Sequence, residues 1–191
     1  RIRVWGVRTG STFRSLFTAG DALASEADSK AVTVRSRNGV DHVLARSADG
    51  RRVYAPGDEL MGLGPLLGYK GAVDGLDEIV PAGGLRVTID PDLQSHVTDI
   101  LQKSLQQIPS PSGAAIMMDV HTGEILAYVS LPNYDVNLFS SPIDDKTFQA
   151  LLNDPGKPLV DHAAADQYPP GSTFKVITGS AGLQTGVAQK K

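Results

Sequence analysis

The chain contains no cysteine. Disulfides, thiol catalysis and cysteine-ligated zinc are thereby excluded. The lack does not fix a compartment, because many exported proteins also do without the residue. No apolar run approaches the roughly 20 residues that a membrane span needs. Charge of either sign is hardly in excess: 18 Lys and Arg stand against 21 Asp and Glu, a net of −3. That balance gives no reason to expect nucleic acid or an anionic membrane surface as partner. There is no internal repeat and no low-complexity tract. No secretory leader is legible, since the chain opens with Arg1, Arg3, Arg8 and Arg14 and has no initiator methionine. The expectation is an excised segment of a longer protein.

What is present suits a folded protein of one or two domains. The apolar fraction of 41% with 20% charged residues argues against disorder. Residues 13–27 carry a loose helical pattern broken by Gly20. Residues 31–35 and 40–46 read as two strands about an Asn38-Gly39 turn, a strong hairpin signal. Asp49-Gly50 is a second turn, before Arg52-Val53-Tyr54. The glycine-rich stretch 56–84 predicts loops and short elements with little core of its own.

The texture changes at Leu85. Residues 85–89 alternate like a strand. Asp90 and Asp92 flank Pro91, an arrangement that opens a helix. Leu93, Val97, Ile100, Leu101, Leu105 and Ile108 then recur at helical spacing, predicting a helix over 92–107. Residues 114–119 and 124–130 predict a hairpin about His121-Thr122-Gly123, with Asp119 serving the turn. A short helix is expected over 147–152. A final helix is expected from Ser172 to about Thr185, with Gly186 just past its end.

The pattern that carries chemistry is Tyr168-Pro169-Pro170-Gly171-Ser172-Thr173-Phe174-Lys175. A lone S-x-x-K is weak, since roughly one match arises by chance in such a chain. Its context is informative. Pro169-Pro170-Gly171 cannot continue a helix, so a new one begins near Ser172. Residues at i and i+3 share a face, which brings the Lys175 amine to the Ser172 hydroxyl. The positive end of the helix dipole favours a developing alkoxide there. Burial against Phe174, Val176 and Ile177 would disfavour the charged ammonium. A neutral amine could then take the serine proton, the activation a hydroxyl nucleophile needs. The plain alternative is that Ser172 is a helix cap and Lys175 a solvated side chain.

Four motifs occur in one order at natural spacings: L-R-V-T-I-D-P-D-L-Q from Leu85, M-D-V-H-T-G-E-I-L-A-Y-V-S from Met118, L-P-N-Y-D-V-N-L-F from Leu131, and Y-P-P-G-S-T-F-K-V from Tyr168. Together they closely resemble the start of the transpeptidase domain of class B, monofunctional penicillin-binding proteins. Upstream, Arg52-Val53-Tyr54-Ala55-Pro56-Gly57, Leu67-Gly68-Tyr69 and Gly75-Leu76-Asp77 resemble the tail of that family's non-catalytic pedestal, or dimerisation, domain. Ser36-Arg37-Asn38-Gly39 resembles a worn form of its R-x-R-I-x-D-R-N-G element. The Y-D-x-x-L-x-G stretch usual after Gly75-Leu76-Asp77-Glu78 is missing.

The resemblance implies an α+β protein: a small, mostly-β pedestal module over 1–84, then the N-terminal portion of a transpeptidase domain over 85–191. In that domain the 114–130 hairpin would belong to a central antiparallel sheet with the serine helix packed on it. The implied activity is that of a peptidoglycan D,D-transpeptidase. Such an enzyme attacks D-Ala-D-Ala stem peptides through an acyl-serine and is trapped by β-lactams. Carried over by position, Ser172 is the nucleophile and Lys175 the general base. No cofactor and no metal are implied. Implied partners are peptidoglycan stem peptides, β-lactams, and membrane proteins of elongation or division, at the extracytoplasmic face of the bacterial inner membrane. The family's S-x-N and K-T-G motifs do not follow Ser172 within these residues, so the chain is expected to be an inactive fragment. Ser36-Arg37-Asn38 and His121-Thr122-Gly123 imitate them only as text.

Other candidates read as structural. His42, His96, His121 and His162 are not at metal-ligand spacing and suit surface or capping roles. Asp144, Asp145 and Asp161 suit loops. Trp5, Phe13 and Phe17 suit local packing, Tyr54 and Tyr69 a core, and Tyr168 packing against the nucleophile loop. Two rivals remain. Class D β-lactamases and β-lactam sensors share S-T-F-K, but usually with alanine where Gly171 stands, and they lack a pedestal. A non-catalytic periplasmic scaffold would use the upstream half to bind partners.

Overall fold

The computed structural model describes residues 17–18, 31–35, 39–48, 51–57, 62–69, 75–76, 80, 84–140 and 142–188. Five short strands form a mixed sheet in the order β1-β5-β2-β3-β4: β1 Phe17–Thr18, β2 Val32–Arg35, β3 Asp41–Ala48, β4 Arg51–Tyr54 and β5 Leu85–Val87. β2, β3 and β4 form an antiparallel meander, as Asn38-Gly39 and Asp49-Gly50 predict. Gly39 takes φ +85°, which only glycine adopts without strain. β5 lies parallel to β2, and Phe17 and Thr18 pair with it on its far side. The strand at 85–87 is thus hydrogen-bonded into the upstream sheet. Phe17 and Thr18 are strand, not part of a helix over 13–27; the rest of that window, with Trp5 and Phe13, lies outside the described residues. So does the Ser36-Arg37-Asn38 element.

The glycine-rich stretch holds more core than its composition suggests. α1, Gly64–Leu67, is buried throughout, and Leu63, Leu67 and Leu76 are almost inaccessible. Glycine makes this approach possible. A Cβ on Gly64 would lie 2.3 Å from the Tyr134 carbonyl oxygen. With no side chain there, the leucines reach a core shared by Val32, Val34 and Leu44 of the sheet and by Ile125, Tyr128 and Val136 downstream. Tyr54, Tyr69, Phe139 and Tyr134 continue the contact as an aromatic ladder with centroid spacings of 5.4, 5.7 and 5.8 Å.

α2 spans Pro91–Gln107. The Asp90 carboxylate accepts from the Asp92 and Leu93 amides at 3.0 and 3.1 Å. Of its apolar series, Leu93, Val97, Leu101 and Leu105 are half-buried, while Ile100 and Ile108 are over half exposed. Leu101 and Leu105 lie on Gly113. That glycine begins the hairpin of β6, Gly113–Met118, and β7, Ile125–Leu131. The Asp119 carboxylate caps its turn by accepting from His121 and Thr122 at 2.7 and 3.0 Å, and Gly123 has φ +78°. These bonds hold the Asp119 carboxyl below its ordinary range. β7 is buried, while β6 is half-buried over its first three residues and exposed over Ile116, Met117 and Met118. α3, Asp145–Asn153, starts from an Asp144 cap on Thr147.

Candidate active site

The residues before Ser172 form a loop tied to β7 by a set of polar contacts. Ser130 Oγ, on β7, accepts from the His162 amide at 2.9 Å. The His162 ring is 3% exposed. Its Nε2 lies 2.8 Å from the Gly156 carbonyl oxygen and its Nδ1 2.8 Å from Asp166 Oδ2. The same Asp166 oxygen accepts from the Tyr168 hydroxyl at 2.8 Å. These two donors hold the Asp166 carboxyl below its ordinary range. Asp161 has partners of its own. It accepts from the Tyr128 hydroxyl at 2.7 Å and from the Ala163 amide at 3.0 Å. Burial nevertheless raises the Asp161 carboxyl, and burial with the Asp161 charge raises the Tyr128 phenol.

His162 is therefore not a surface or capping residue, as its spacing suggested, but a buried tie between loop segments. The signal was in the sequence as Asp161-His162 with Asp166 at i+4. It could not be read as a contact before the loop was seen folding back on β7. Tyr168 is 58% exposed and serves this network through its hydroxyl. An open pocket of about 460 Å³ separates the loop from β6, lined by Gly113, Ala115, Ile116, His162, Asp166 and Tyr168. Neither Ser172 nor Lys175 lines it.

Ser172 follows at once. Gly171–Phe174 is a single 3-10 turn, not the first turn of an α-helix, and the Lys175 amide donates to the Ser172 carbonyl. The Thr173 amide and hydroxyl both donate to the Pro170 carbonyl, the amide at 3.2 Å. Gly171 sits at φ +53°. α4 then runs over Lys175–Gln184, and Gly186 closes it at φ +74°. A 3-10 turn has three residues per turn, so i and i+3 eclipse. Ser172 and Lys175 thus share one edge, as expected, by a tighter turn than expected. The expected burial is not found. Phe174, Val176 and Ile177 are 50%, 76% and 60% exposed, and Ser172 and Lys175 are exposed with them. Nor does α4 pack on the hairpin, for none of its residues is buried. Among the described residues no group of histidines and carboxylates is arranged to hold a metal.

Residues 113–191, which contain the hairpin, the polar loop and the serine turn, match the family described as penicillin binding protein transpeptidase domain. The chain is 40% identical over 114 residues to the peptidoglycan D,D-transpeptidase MrdA of Escherichia coli K12, covering 59% of this chain and 17% of that protein. It is likewise 40% identical over 114 residues to the peptidoglycan D,D-transpeptidase PbpA of Mycobacterium tuberculosis, covering 57% of this chain and 23% of that one. Penicillin-binding protein A from M. tuberculosis, solved as its penicillin G acyl-enzyme complex, superimposes with a TM-score of 0.66 at 28% identity over 86% of this chain and 44% of its own. The chain spans about a fifth of the length of those curated relatives. The likeness to the solved structure reaches beyond the transpeptidase segment into the five-stranded sheet, and the α+β class stands.

Proposed function

We propose that this chain is the nucleophile-bearing part of a class B peptidoglycan D,D-transpeptidase. Ser172 is the nucleophile and Lys175 its base. A neutral Lys175 amine takes the hydroxyl proton as Ser172 Oγ bonds to the carbonyl carbon of a D-Ala-D-Ala terminus. The terminal D-alanine departs as the amine, and an amine of a neighbouring strand later takes the acyl group and frees Ser172. With a β-lactam the same attack opens the ring, the leaving nitrogen stays tethered, and the ester persists. The single observation that carries this reading is the shared edge of Ser172 and Lys175 on one turn, inside the residues that match the transpeptidase family. The acyl-enzyme of the M. tuberculosis relative supports it.

In this reading residues 1–84 are the pedestal-like module and 85–191 the start of the catalytic domain, with β5 joining the two as a strand of the pedestal sheet. Peptidoglycan stem peptides are the substrate and β-lactams the inhibitors. The protein works at the extracytoplasmic face of the inner membrane, beside the membrane proteins of elongation or division. No helix among the described residues is long and apolar enough to cross a membrane.

Intact-protein mass spectrometry tests the assignment on a protein carrying the complete transpeptidase domain. Penicillin should add one penicilloyl group to the wild type and none to Ser172→Ala. An adduct that persists in Ser172→Ala overturns it.

A further inference from the structure

The His162 ring is held between two groups that can only accept when Asp166 is ionised. The Gly156 carbonyl has no proton to give, so Nε2–H must donate to it. Nδ1 then faces Asp166 Oδ2 at 2.8 Å. In the neutral ring that nitrogen is a lone pair opposed to a carboxylate. Only the imidazolium satisfies both neighbours, and a charge-assisted bond of this kind is among the stronger ones a protein makes. The low-lying Asp166 carboxyl agrees with an ionised partner.

The two ends of this tie differ in firmness. Gly156 is wedged: a Cβ there would lie 2.6 Å from Pro132 Cγ and 2.8 Å from the Pro111 carbonyl oxygen. The His162 amide is fixed to Ser130 of β7. The far end is the exposed segment Asp166–Tyr168, which the ring holds through Asp166 and Asp166 holds through the Tyr168 hydroxyl. Pro169 and Pro170 follow, two residues with locked φ that pass the position of Tyr168 on to Gly171 and Ser172 as a stiff strut. The ionisable groups around the ring are few. Asp161, Asp166, Tyr168 and Lys157 come from its own loop and Tyr128 from β7, while the β6 residues beside it bear no charge.

We propose that His162 is a positioning residue for the nucleophile: its ring clasps Gly156 to Asp166 and fixes the strut that carries Ser172. The consequence for rate rests on the acyl-serine reading above; the clasp itself does not. Asp166→Asn is the informative variant. An asparagine with its amide nitrogen in the place of Oδ2 can donate one hydrogen to an Nδ1 lone pair and the other to the Tyr168 hydroxyl oxygen. The clasp is then kept and the carboxylate charge removed.

The experiment has two arms. In the first, exchange of the His162 Nε2 proton with solvent is followed by NMR on this chain at one pH. The proton bonded to the Gly156 carbonyl should exchange slowly. Exchange as fast as that of an exposed histidine overturns the clasp. In the second, penicillin acylation is timed on the complete domain. His162→Phe, which lacks both bonds, should be slower by up to about a hundredfold, the scale of an ångström of misplacement. Asp166→Ala should be similarly slow, and Asp166→Asn, which keeps the clasp, should recover most of the rate. Wild-type rates in His162→Phe, or an Asp166→Asn as slow as Asp166→Ala, overturn the positioning role. Absence of any acylation in the wild type would sink the transpeptidase reading and leave the first arm to decide the clasp alone.

Discussion

Gln94 pairs with Tyr128 as though it were a neighbouring strand. Its Nε2 donates to the Tyr128 carbonyl at 2.9 Å, and its Oε1 accepts from the Tyr128 amide at 2.7 Å. The side chain is fully buried. With the Asp90 amide on the Leu126 carbonyl and Thr88 Oγ1 on the Ile125 carbonyl, it closes the edge of β7 that β6 leaves open. Gln94→Ala would strand two buried backbone groups, each worth about 1–3 kcal/mol when unsatisfied. The variant should lose roughly 2–5 kcal/mol of stability by urea titration. Gln94→Glu should not rescue it, because a carboxylate cannot donate to the Tyr128 carbonyl.

Gly64→Ala tests the packing of the glycine-rich stretch. Its new Cβ would stand 2.3 Å from a backbone oxygen of Tyr134, which cannot swing aside as a side chain would. The expected cost is about 1–3 kcal/mol, read as a lower urea midpoint with an unchanged slope. Wild-type stability would show that α1 does not sit where its glycine permits.

Asp161 and Asp166 should affect stability with opposite signs of pH dependence. Burial raises the Asp161 carboxyl above 3.8, so the folded state binds its proton more tightly than the unfolded chain does. That contribution is full at acid pH and is lost as pH rises through the folded value. Asp166 is held below 3.8, so its contribution is present at neutral pH and is lost as pH falls through its folded value. Asp161→Asn removes the desolvated charge but leaves one acceptor oxygen where the Tyr128 hydroxyl and the Ala163 and Ala164 amides use two. Its stability relative to wild type, read by thermal melting, should therefore gain from about pH 4 to neutral pH, as the wild-type carboxyl ionises. A difference independent of pH would show that the Asp161 charge is not its source.

Lys175→Arg separates a base from a fixed charge. Arginine stays protonated at working pH and cannot take the Ser172 proton. In the complete domain it should acylate about as poorly as Lys175→Ala, with the fold retained, since an exposed position in a first helical turn tolerates either residue. Near-wild-type acylation of Lys175→Arg, timed by mass spectrometry, would refute the base assignment.

The 191-residue chain alone should label far more slowly with a fluorescent penicillin than the complete domain. Ser172 and Lys175 are open to water in it, and groups that act as a unit fall together by orders of magnitude when members are missing. A strong gel band that disappears in Ser172→Ala would show that the serine turn is active by itself.

Local rules made much of this protein legible in its sequence. Asp90-Pro91 starts α2, Asp119 and Gly123 turn the hairpin, Pro169-Pro170-Gly171 begins the serine turn, and Gly186 ends α4, because each acts on its own backbone within a few residues. The edge shared by Ser172 and Lys175 follows from the same short range. Contacts made across the fold were decided elsewhere. Composition gave no sign that leucines among glycines reach the core, because glycine spacing does not reveal which carbonyl a missing Cβ makes room for. Periodicity gave no sign that Gln94 completes a strand edge or that Ile100 and Ile108 face water. Nor could spacing show that His162 lies buried between Gly156 and Asp166, since only a loop folded back on β7 shields the ring and brings both acceptors to it. Burial and long-range hydrogen bonding depend on what the rest of the chain places nearby, and that is a property of the tertiary structure.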